Sequence, residues 1–291
     1  MASVTAGRWL RAASALLAAL LFCAGASPGA PAGAALEFRR DGKRVARLEL
    51  DQIVAACQVR TATIDDPYYG RRKSYRGCDL RQVLRAGFGA PVWEEKGRDV
   101  VLRALDGYAK PTSAARLGEP GAFRAFADAE RAHGDDPGWE PIDRRRVDPG
   151  PFYLVWTGKD QQDPRRYPWP YQLASIELVD FAKEWPHTLP ASAASDTAPW
   201  RGYALFRSEC ISCHSINGEG GKVGPDLNVP RSIVEYRPVD QIEAFIFDPA
   251  QFRYTSMPAH RYLKPAQLQE LIAYFEAMKD LKHDPGAPSP E

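Results

Sequence analysis

Residues 208–228 read SECISCHSINGEGGKVGPDLN and bring two cysteines and a histidine into five consecutive positions. Cys210 and Cys213 are separated by two residues, and His214 follows the second cysteine directly. A glycine-rich stretch then leads to GPDL at 224–227. Two thiols and an imidazole at this spacing are typical of three kinds of site: a zinc site, a redox-active dithiol or a covalently attached haem.

The rest of the sequence favours haem over the other two sites. A zinc site needs four ligands, and no second close pair of cysteines is present, since Cys57 and Cys78 are distant in the chain. A redox-active dithiol normally begins a helix beside a strand, whereas the segments around 210–214 have helical patterns. In haem attachment the two thiols bond to the porphyrin vinyl groups, and the adjacent histidine binds the iron. We therefore predict one covalent haem c on Cys210 and Cys213.

The segments on either side of the motif have the spacing of helices. Residues 200–214 place aromatic side chains at helical intervals, and residues 239–247 are amphipathic. In 263–280, Pro265 marks a helix start and the apolar residues that follow share one face. The sequence predicts an all-α domain over 200–291, which is small for a self-sufficient core and therefore leaves room for a bound group.

The second axial ligand of the iron is predicted to be Met257. It stands in an irregular stretch where Pro258 blocks a helix, and ligands are commonly presented on loops. A thioether favours reduced iron and raises the potential, which suits an electron carrier. Met278 falls on the apolar stripe of the last helix and is predicted to be core. His260 is the alternative ligand and would give a lower potential.

Residues 200–282 resemble a class I c-type cytochrome domain. An aromatic-bearing helix enters the Cys-x-x-Cys-His motif, and Gly-Pro-x-Leu, a Met-Pro loop and a final helix with aromatic residues follow. The resemblance implies electron transfer, an iron bound by His214 and Met257, and a Pro225 carbonyl that accepts a hydrogen bond from the histidine. The contacts expected where the first and last helices cross involve Gly202, Phe206, Tyr274 and Phe275.

The chain before this domain is β-rich. Residues 36–50 place Asp41-Gly42 between two strand-like runs, which predicts a hairpin. Further strands are predicted at 58–65, 100–105, 152–156 and 172–179, and short helices at 79–85 and 121–133. The fold class is therefore multi-domain: an α+β, β-rich domain over 36–185, a linker rich in Pro, Ala and Ser over 186–199, and the all-α domain.

Three segments of the first domain, 75–89, 100–110 and 168–181, resemble the sulfite-oxidase-like molybdopterin-binding fold. In that family a cysteine thiolate binds molybdenum. Cys78 lies inside a turn motif at a position that is usually apolar, and Cys57 lacks the flanking pattern of the ligand loop, so we do not expect a molybdenum cofactor. The two cysteines instead predict a disulfide in an oxidising compartment.

The first residues predict export. Arg8 and Arg11 lead an apolar run followed by small residues, which is typical of a secretory signal peptide over 1–35. The run is shorter than the roughly 20 residues that span a bilayer. Cys23 leaves a lipid anchor as the lesser alternative. The formal net charge of +1 gives no indication of nucleic-acid binding. Basic stretches at 71–76 and 144–146 are predicted to be solvated surface.

Together these patterns predict a periplasmic, monohaem electron carrier with no membrane span in the mature chain. Its partner is expected to be a redox protein, such as a dehydrogenase, another oxidoreductase or a terminal oxidase. The glycine-rich loop at 216–224 is predicted to be flexible and to let that partner approach the haem edge. The alternatives are a haem- or molybdenum-dependent oxidoreductase whose first domain forms a substrate pocket, and a first domain that serves as a docking module.

Overall fold

The structure is a computed structural model that describes residues 33–143, 145–191 and 196–286. Residues 1–32 of the predicted leader, which include Cys23, lie outside the described residues, as do the basic residue Arg144 and positions 192–195 of the predicted linker. Within the described ranges, no helix combines the length and apolar character that crossing a membrane requires. The chain forms a β-rich N-terminal lobe and a helical C-terminal lobe, as the sequence predicts.

The N-terminal lobe is built on two sheets joined by short helices. Its strands, in chain order, are β1 (Ala35–Arg40), β2 (Lys43–Glu49), β3 (Arg60–Asp66), β4 (Arg71–Asp79), β5 (Asp99–Ala104), β6 (Ala109–Ser113), β7 (Ala122–Asp128), β8 (Tyr153–Trp156) and β9 (Leu173–Val179). Its helices are α1 (Leu50–Ala55), α2 (Leu80–Phe88), α3 (Ala114–Leu117) and α4 (Phe181–Glu184).

The larger sheet contains the predicted hairpin. Among the described residues its order is β2-β1-β9-β5-β6, and β1 with β9 is its parallel pair. The hairpin turn consists of Asp41 and Gly42 with φ values of 48° and 79°, the left-handed conformation that a two-residue turn of this type requires. The hairpin prediction is confirmed. Strand β2 lies at one edge of this sheet, and strand β6 lies at the other.

The smaller sheet has the order β3-β4-β7-β8 and corrects one prediction. Residues 121–133 do not begin a helix, because 122–128 form the central strand β7. Every residue of β7 is buried, so the strand shows no alternation of apolar and polar residues. Phe123 and Phe126 are three positions apart, as apolar residues of a helix often are, and this spacing led to the helix prediction. Helix α2 agrees with its prediction, and its N-cap Asp79 accepts a hydrogen bond from the backbone N–H of Arg81.

The prediction of solvated surface at 71–76 is wrong for Lys73. Its side chain has no exposed surface, and its Nζ donates to Asp128 Oδ2 at 2.5 Å and to Glu140 Oε2 at 2.9 Å. Strands β4 and β7 bring these groups together, so the lysine is a buried ion-pair partner. Arg124 on β7 is also a fully buried cation. Its guanidinium carbon lies 4.4 Å from the centroid of the Phe152 ring.

Cys57 and Cys78 are bonded to each other in the structure, with their Cα atoms 6.0 Å apart. The bond links the segment after α1 to the end of β4. Cys78 is fully buried in the apolar core between the two sheets. Neither sulfur is therefore present as a free thiol.

The C-terminal lobe is helical. It contains α5 (Ala198–Leu205), a π-helical turn at Phe206–Cys210, the short pairs β10 (Ser215–Ile216) and β11 (Glu219–Gly220), and the helices α6 (Ile233–Tyr236), α7 (Val239–Phe247) and α8 (Pro265–Lys279). Helices α5 and α8 cross in close contact. The ring centroids of Phe206 and Tyr274 are 5.3 Å apart, and Phe275 lies 6.3 Å from Phe206. A Cβ on Gly202 would lie only 1.9 Å from the Glu270 carbonyl oxygen, so the expected helix crossing is confirmed.

The two lobes share one apolar cluster. Val101 of β5, Ala109 of β6 and Val179 of β9 pack in the same cluster of buried side chains as Phe206 and Tyr274. Phe181 and Trp185, which follow β9, also belong to this cluster. The larger sheet therefore has the N-terminal core on one side and helices of the C-terminal lobe on the other.

The first part of the predicted linker is packed rather than free. Thr188 is fully buried, and its carbonyl accepts a hydrogen bond from the Tyr274 hydroxyl at 2.7 Å. The His187 carbonyl accepts one from Asn217 Nδ2 at 2.8 Å. Small and proline-rich residues gave the composition of a linker, but backbone groups of His187 and Thr188 are bound by the C-terminal lobe. The linker over 186–199 stays a prediction, with its residues 187 and 188 bonded to the C-terminal lobe.

Candidate functional site

The cysteine pair lies on one helical turn at the end of the first C-terminal helix. The backbone N–H groups of Cys213 and His214 both donate to the Cys210 carbonyl, at 3.0 and 2.9 Å. Burial raises the pKa of the Cys210 thiol to about 12 and that of the Cys213 thiol to about 11. A redox-active dithiol needs a thiolate with a lowered pKa, so these neutral thiols do not suit that chemistry.

His214 is held in one orientation by the chain that follows it. Its Nδ1 lies 2.8 Å from the Pro225 carbonyl oxygen. A carbonyl only accepts hydrogen bonds, so Nδ1 carries the proton and Nε2 keeps its lone pair for a metal. Burial lowers the pKa of His214, which also favours the neutral ring. This contact is the one that the predicted role of Pro225 requires.

Gly224 packs directly on the histidine ring. A Cβ at this position would lie 2.4 Å from His214 Cε1 and 2.7 Å from Nδ1. The Gly224 N–H donates to the Cys213 carbonyl at 2.8 Å, which fixes the glycine beside the attachment turn. The Gly-Pro pair thus fits against the imidazole from two directions, with the glycine on the ring and the proline carbonyl at its nitrogen.

Hydrogen bonds hold the loop between the motif and Gly-Pro, which the sequence predicts to be flexible. Asp226 accepts hydrogen bonds from the backbone N–H groups of Gly218 at 2.7 Å, Asn228 at 2.7 Å and Val229 at 2.8 Å. The Gly221 N–H donates to the Ile211 carbonyl at 2.8 Å. Asp226, between the proline and the leucine of GPDL, therefore fixes the loop through these hydrogen bonds. The sequence did not predict this role.

Both candidates for the second axial ligand lie in the loop after helix α7. Met257 is half-buried and packs against the C-terminal apolar cluster. His260 is buried, and its Nδ1 has no hydrogen-bond partner among the described residues. Burial lowers the pKa of His260, as it does that of His214, so both imidazoles favour the neutral form. Met278 has no exposed surface and lies in the core of the C-terminal lobe, as its spacing on α8 predicts.

These side chains suit a haem better than a bare metal ion. Across residues 33–143, 145–191 and 196–286, no group of three or more His, Cys, Asp or Glu side chains gathers as metal ligands would. Two half-buried neutral thiols one turn apart and an imidazole with a free Nε2 are the donor set for thioether attachment and iron ligation. His214 with Cys210 and Cys213 would hold the group, and Met257 or His260 would supply the second protein ligand to its iron.

The edge of the larger sheet is bonded to the attachment turn. The Ala109 N–H donates to the Ser212 carbonyl, the residue between the two cysteines, at 2.9 Å. The Lys222 N–H donates to the Gly107 carbonyl at 2.9 Å. Arg207 forms an ion pair with Asp99 of β5 at 3.0 Å. The glycine-rich loop is thus partly covered by the N-terminal lobe, and no pattern in the sequence indicated this contact.

The comparison with protein families agrees with this geometry. Residues 200–279 match the family model for cytochrome c. This part of the chain is a cytochrome c domain. The match includes the attachment motif, the Gly-Pro pair and the Met-Pro loop, and it ends at the last residue of α8. A comparison with curated proteins found no significant match. The resemblance of the N-terminal lobe to the sulfite-oxidase-like fold stays a prediction.

Proposed function

We propose that the chain is a periplasmic c-type cytochrome that carries electrons on one haem, with iron ligated by His214 and Met257. The cytochrome c domain supports haem binding and electron transfer. The observation that carries the proposal is the 2.8 Å contact between His214 Nδ1 and the Pro225 carbonyl, which leaves Nε2 free for iron. When bound, haem supplies the one-electron couple, and the chain supplies its ligands, burial and orientation.

Haem number and attachment are tested by mass. Cys210 and Cys213 form the chain's Cys-x-x-Cys-His string, so we expect one covalent haem per chain. Intact mass after acid-acetone extraction should retain the increment of one haem. Free haem in the extract, with the mass of the bare polypeptide, would contradict attachment.

The second axial ligand is tested by substitution. Met257 has a soft sulfur in a loop, next to a proline that prevents a helix, and this setting supports its choice. Met257→Ala should abolish the weak far-red absorption of the oxidised protein and lower the midpoint potential, because a thioether stabilises reduced iron. Met278→Ala is the matched control, since its sulfur is buried in the core. If Met278→Ala abolishes the band instead, the assignment is wrong, and if neither substitution does so, His260→Ala tests the histidine with the unpartnered Nδ1.

A haem enzyme keeps a coordination position of its iron open for substrate, whereas an electron carrier fills both axial positions with protein ligands. Iron with two protein ligands has no position for a small substrate, so the reduced protein should not bind carbon monoxide at neutral pH. We also expect no molybdenum, because Cys57 and Cys78 are bonded to each other and supply no thiolate. A carbon monoxide-shifted spectrum, or stoichiometric molybdenum in a metal inventory of the purified protein, would favour the enzyme.

Export and partner complete the proposal. The signal-peptide pattern and the bonded cysteine pair support an oxidising compartment. The partner is proposed to be a redox protein that reduces or oxidises the haem. Fractionation of cells should place the mature chain in the periplasm, without the leader. Retention in the cytoplasm with free Cys57 and Cys78 thiols would contradict this localisation.

A further inference from the structure

One buried lysine of the N-terminal lobe is directed at the attachment turn. Lys110 lies on β6, is only 8% exposed, and its Nζ donates to the Ser208 carbonyl at 2.9 Å. Its neighbour Ala109 donates to the carbonyl of Ser212 at 2.9 Å. The strand edge therefore holds the chain on both sides of Cys210, and it places a cation there.

The ammonium group of Lys110 donates to a backbone carbonyl rather than to a carboxylate. Glu209 is the nearby acid that favours the charged form, but its own Oε2 accepts the Tyr262 hydroxyl at 2.5 Å. Burial lowers the pKa of Lys110, while Glu209 and both thiols, Cys213 and Cys210, oppose this shift. The hydrogen bond to the Ser208 carbonyl places the ammonium group beside the chain two residues before Cys210.

We propose that Lys110 is a residue of the N-terminal lobe that sets the haem potential, its buried positive charge favouring reduced over oxidised haem. This inference rests on the proposed haem attachment at Cys210 and Cys213. Reduction adds one electron and removes one positive charge from the iron, so a nearby fixed cation favours the reduced state. A charge enclosed between two lobes is screened by solvent and salt far less than a surface charge.

The test is an equilibrium redox titration of the purified, haem-loaded protein. Lys110→Gln removes the charge but keeps an N–H donor for the Ser208 carbonyl, and Lys110→Met removes both. Each should lower the ratio of reduced to oxidised protein at a given potential about tenfold, which is a midpoint shift of about 59 mV for one electron. Lys110→Arg should stay near the wild-type potential because it keeps the charge.

Lys222→Met is the matched control. Lys222 also lies where the lobes meet, through its backbone bond to Gly107, but its side chain is exposed. Its loss should change the ratio less than about twofold, and the small shift should vanish at high salt. The shift from Lys110→Gln should persist between low and high salt.

Two outcomes overturn the inference. One is a Lys110→Gln protein with the wild-type midpoint and an intact absorption spectrum. The other is a Lys110→Arg protein shifted as far as the neutral variants, since that would assign the effect to packing. If Lys110→Met does not fold, Lys110→Gln decides. Failure of the proposed function is distinguishable, because a wild-type chain without covalent haem gives no midpoint at all.

Discussion

A single methyl group at Gly224 should disturb the haem iron's proximal ligand. The backbone at Gly224 is outside the left-handed region, so alanine is sterically acceptable to the main chain itself. The obstacle is the His214 ring, whose Cε1 would lie 2.4 Å from the new Cβ. Carbon atoms in contact normally stay about 3.5–4.0 Å apart. The ring must therefore move by about 1 Å or more.

That displacement breaks the contact that orients the ring. The distance from His214 Nδ1 to the Pro225 carbonyl is 2.8 Å, and a 1 Å shift takes it beyond the usual range for a hydrogen bond. The lost bond costs about 1 kcal/mol, and the overpacking adds roughly 1–3 kcal/mol. We expect Gly224→Ala to lower the free energy of unfolding by about 2–4 kcal/mol, the sum of these two costs.

The midpoint potential should rise at the same time. The Nδ1–H bond makes the ring a stronger donor to iron, so its loss withdraws stabilisation from the oxidised state. The assay combines chemical denaturation with redox titration of the haem-loaded protein. Val223→Ala, at the exposed neighbouring position, is the control and should change neither quantity. A Gly224→Ala protein with wild-type stability and potential would refute the close packing of this glycine on the ring.

Three further predictions concern the framework. Gly202→Ala should destabilise the C-terminal lobe by about 1–3 kcal/mol in thermal unfolding, because its Cβ would meet a backbone carbonyl at 1.9 Å. The hydrogen bond from the Lys73 ammonium lowers the pKa of Glu140 from its ordinary value of about 4.5. The ionised Glu140 therefore stabilises the folded protein above pH 4.5, and this stabilisation is lost as the pH falls through the lowered pKa. Glu140→Gln should flatten that acid slope, and an unchanged slope would contradict it. Replacing both Cys57 and Cys78 with serine should cost about 3 kcal/mol, and peptide mapping of the wild type without reductant should recover the linked pair, not two alkylatable thiols.

The chemistry of the site was readable from the sequence because it lies in one short segment. Attachment, proximal ligation and the carbonyl partner come from residues at 210–225, and neighbouring positions in a chain constrain one another directly. The hairpin at Asp41-Gly42 was readable for the same reason, since a two-residue turn carries its own signal. Helix α8 was predicted from Pro265 and one apolar stripe.

The features that escaped prediction depend on pairing between distant segments. Strand β7 is buried on both faces, so its sequence lacks the alternation that marks a strand. Lys73 looks like a surface residue in a basic run until β7 supplies Asp128 from 55 residues away. Lys110 gave no functional signal because its partner Ser208 is 98 residues further along. No local pattern encodes such contacts.

The apolar cluster that joins the lobes limits how far the cytochrome c domain is a transferable module. Sequence similarity begins at residue 200, but Val101, Val179, Phe181 and Trp185 belong to the same cluster and come before that boundary. A chain cut there would leave apolar surface and an unbonded strand edge on one fragment, and an uncovered attachment turn on the other. The unit that natural recombination or a protein engineer could move intact is therefore larger than the unit defined by homology.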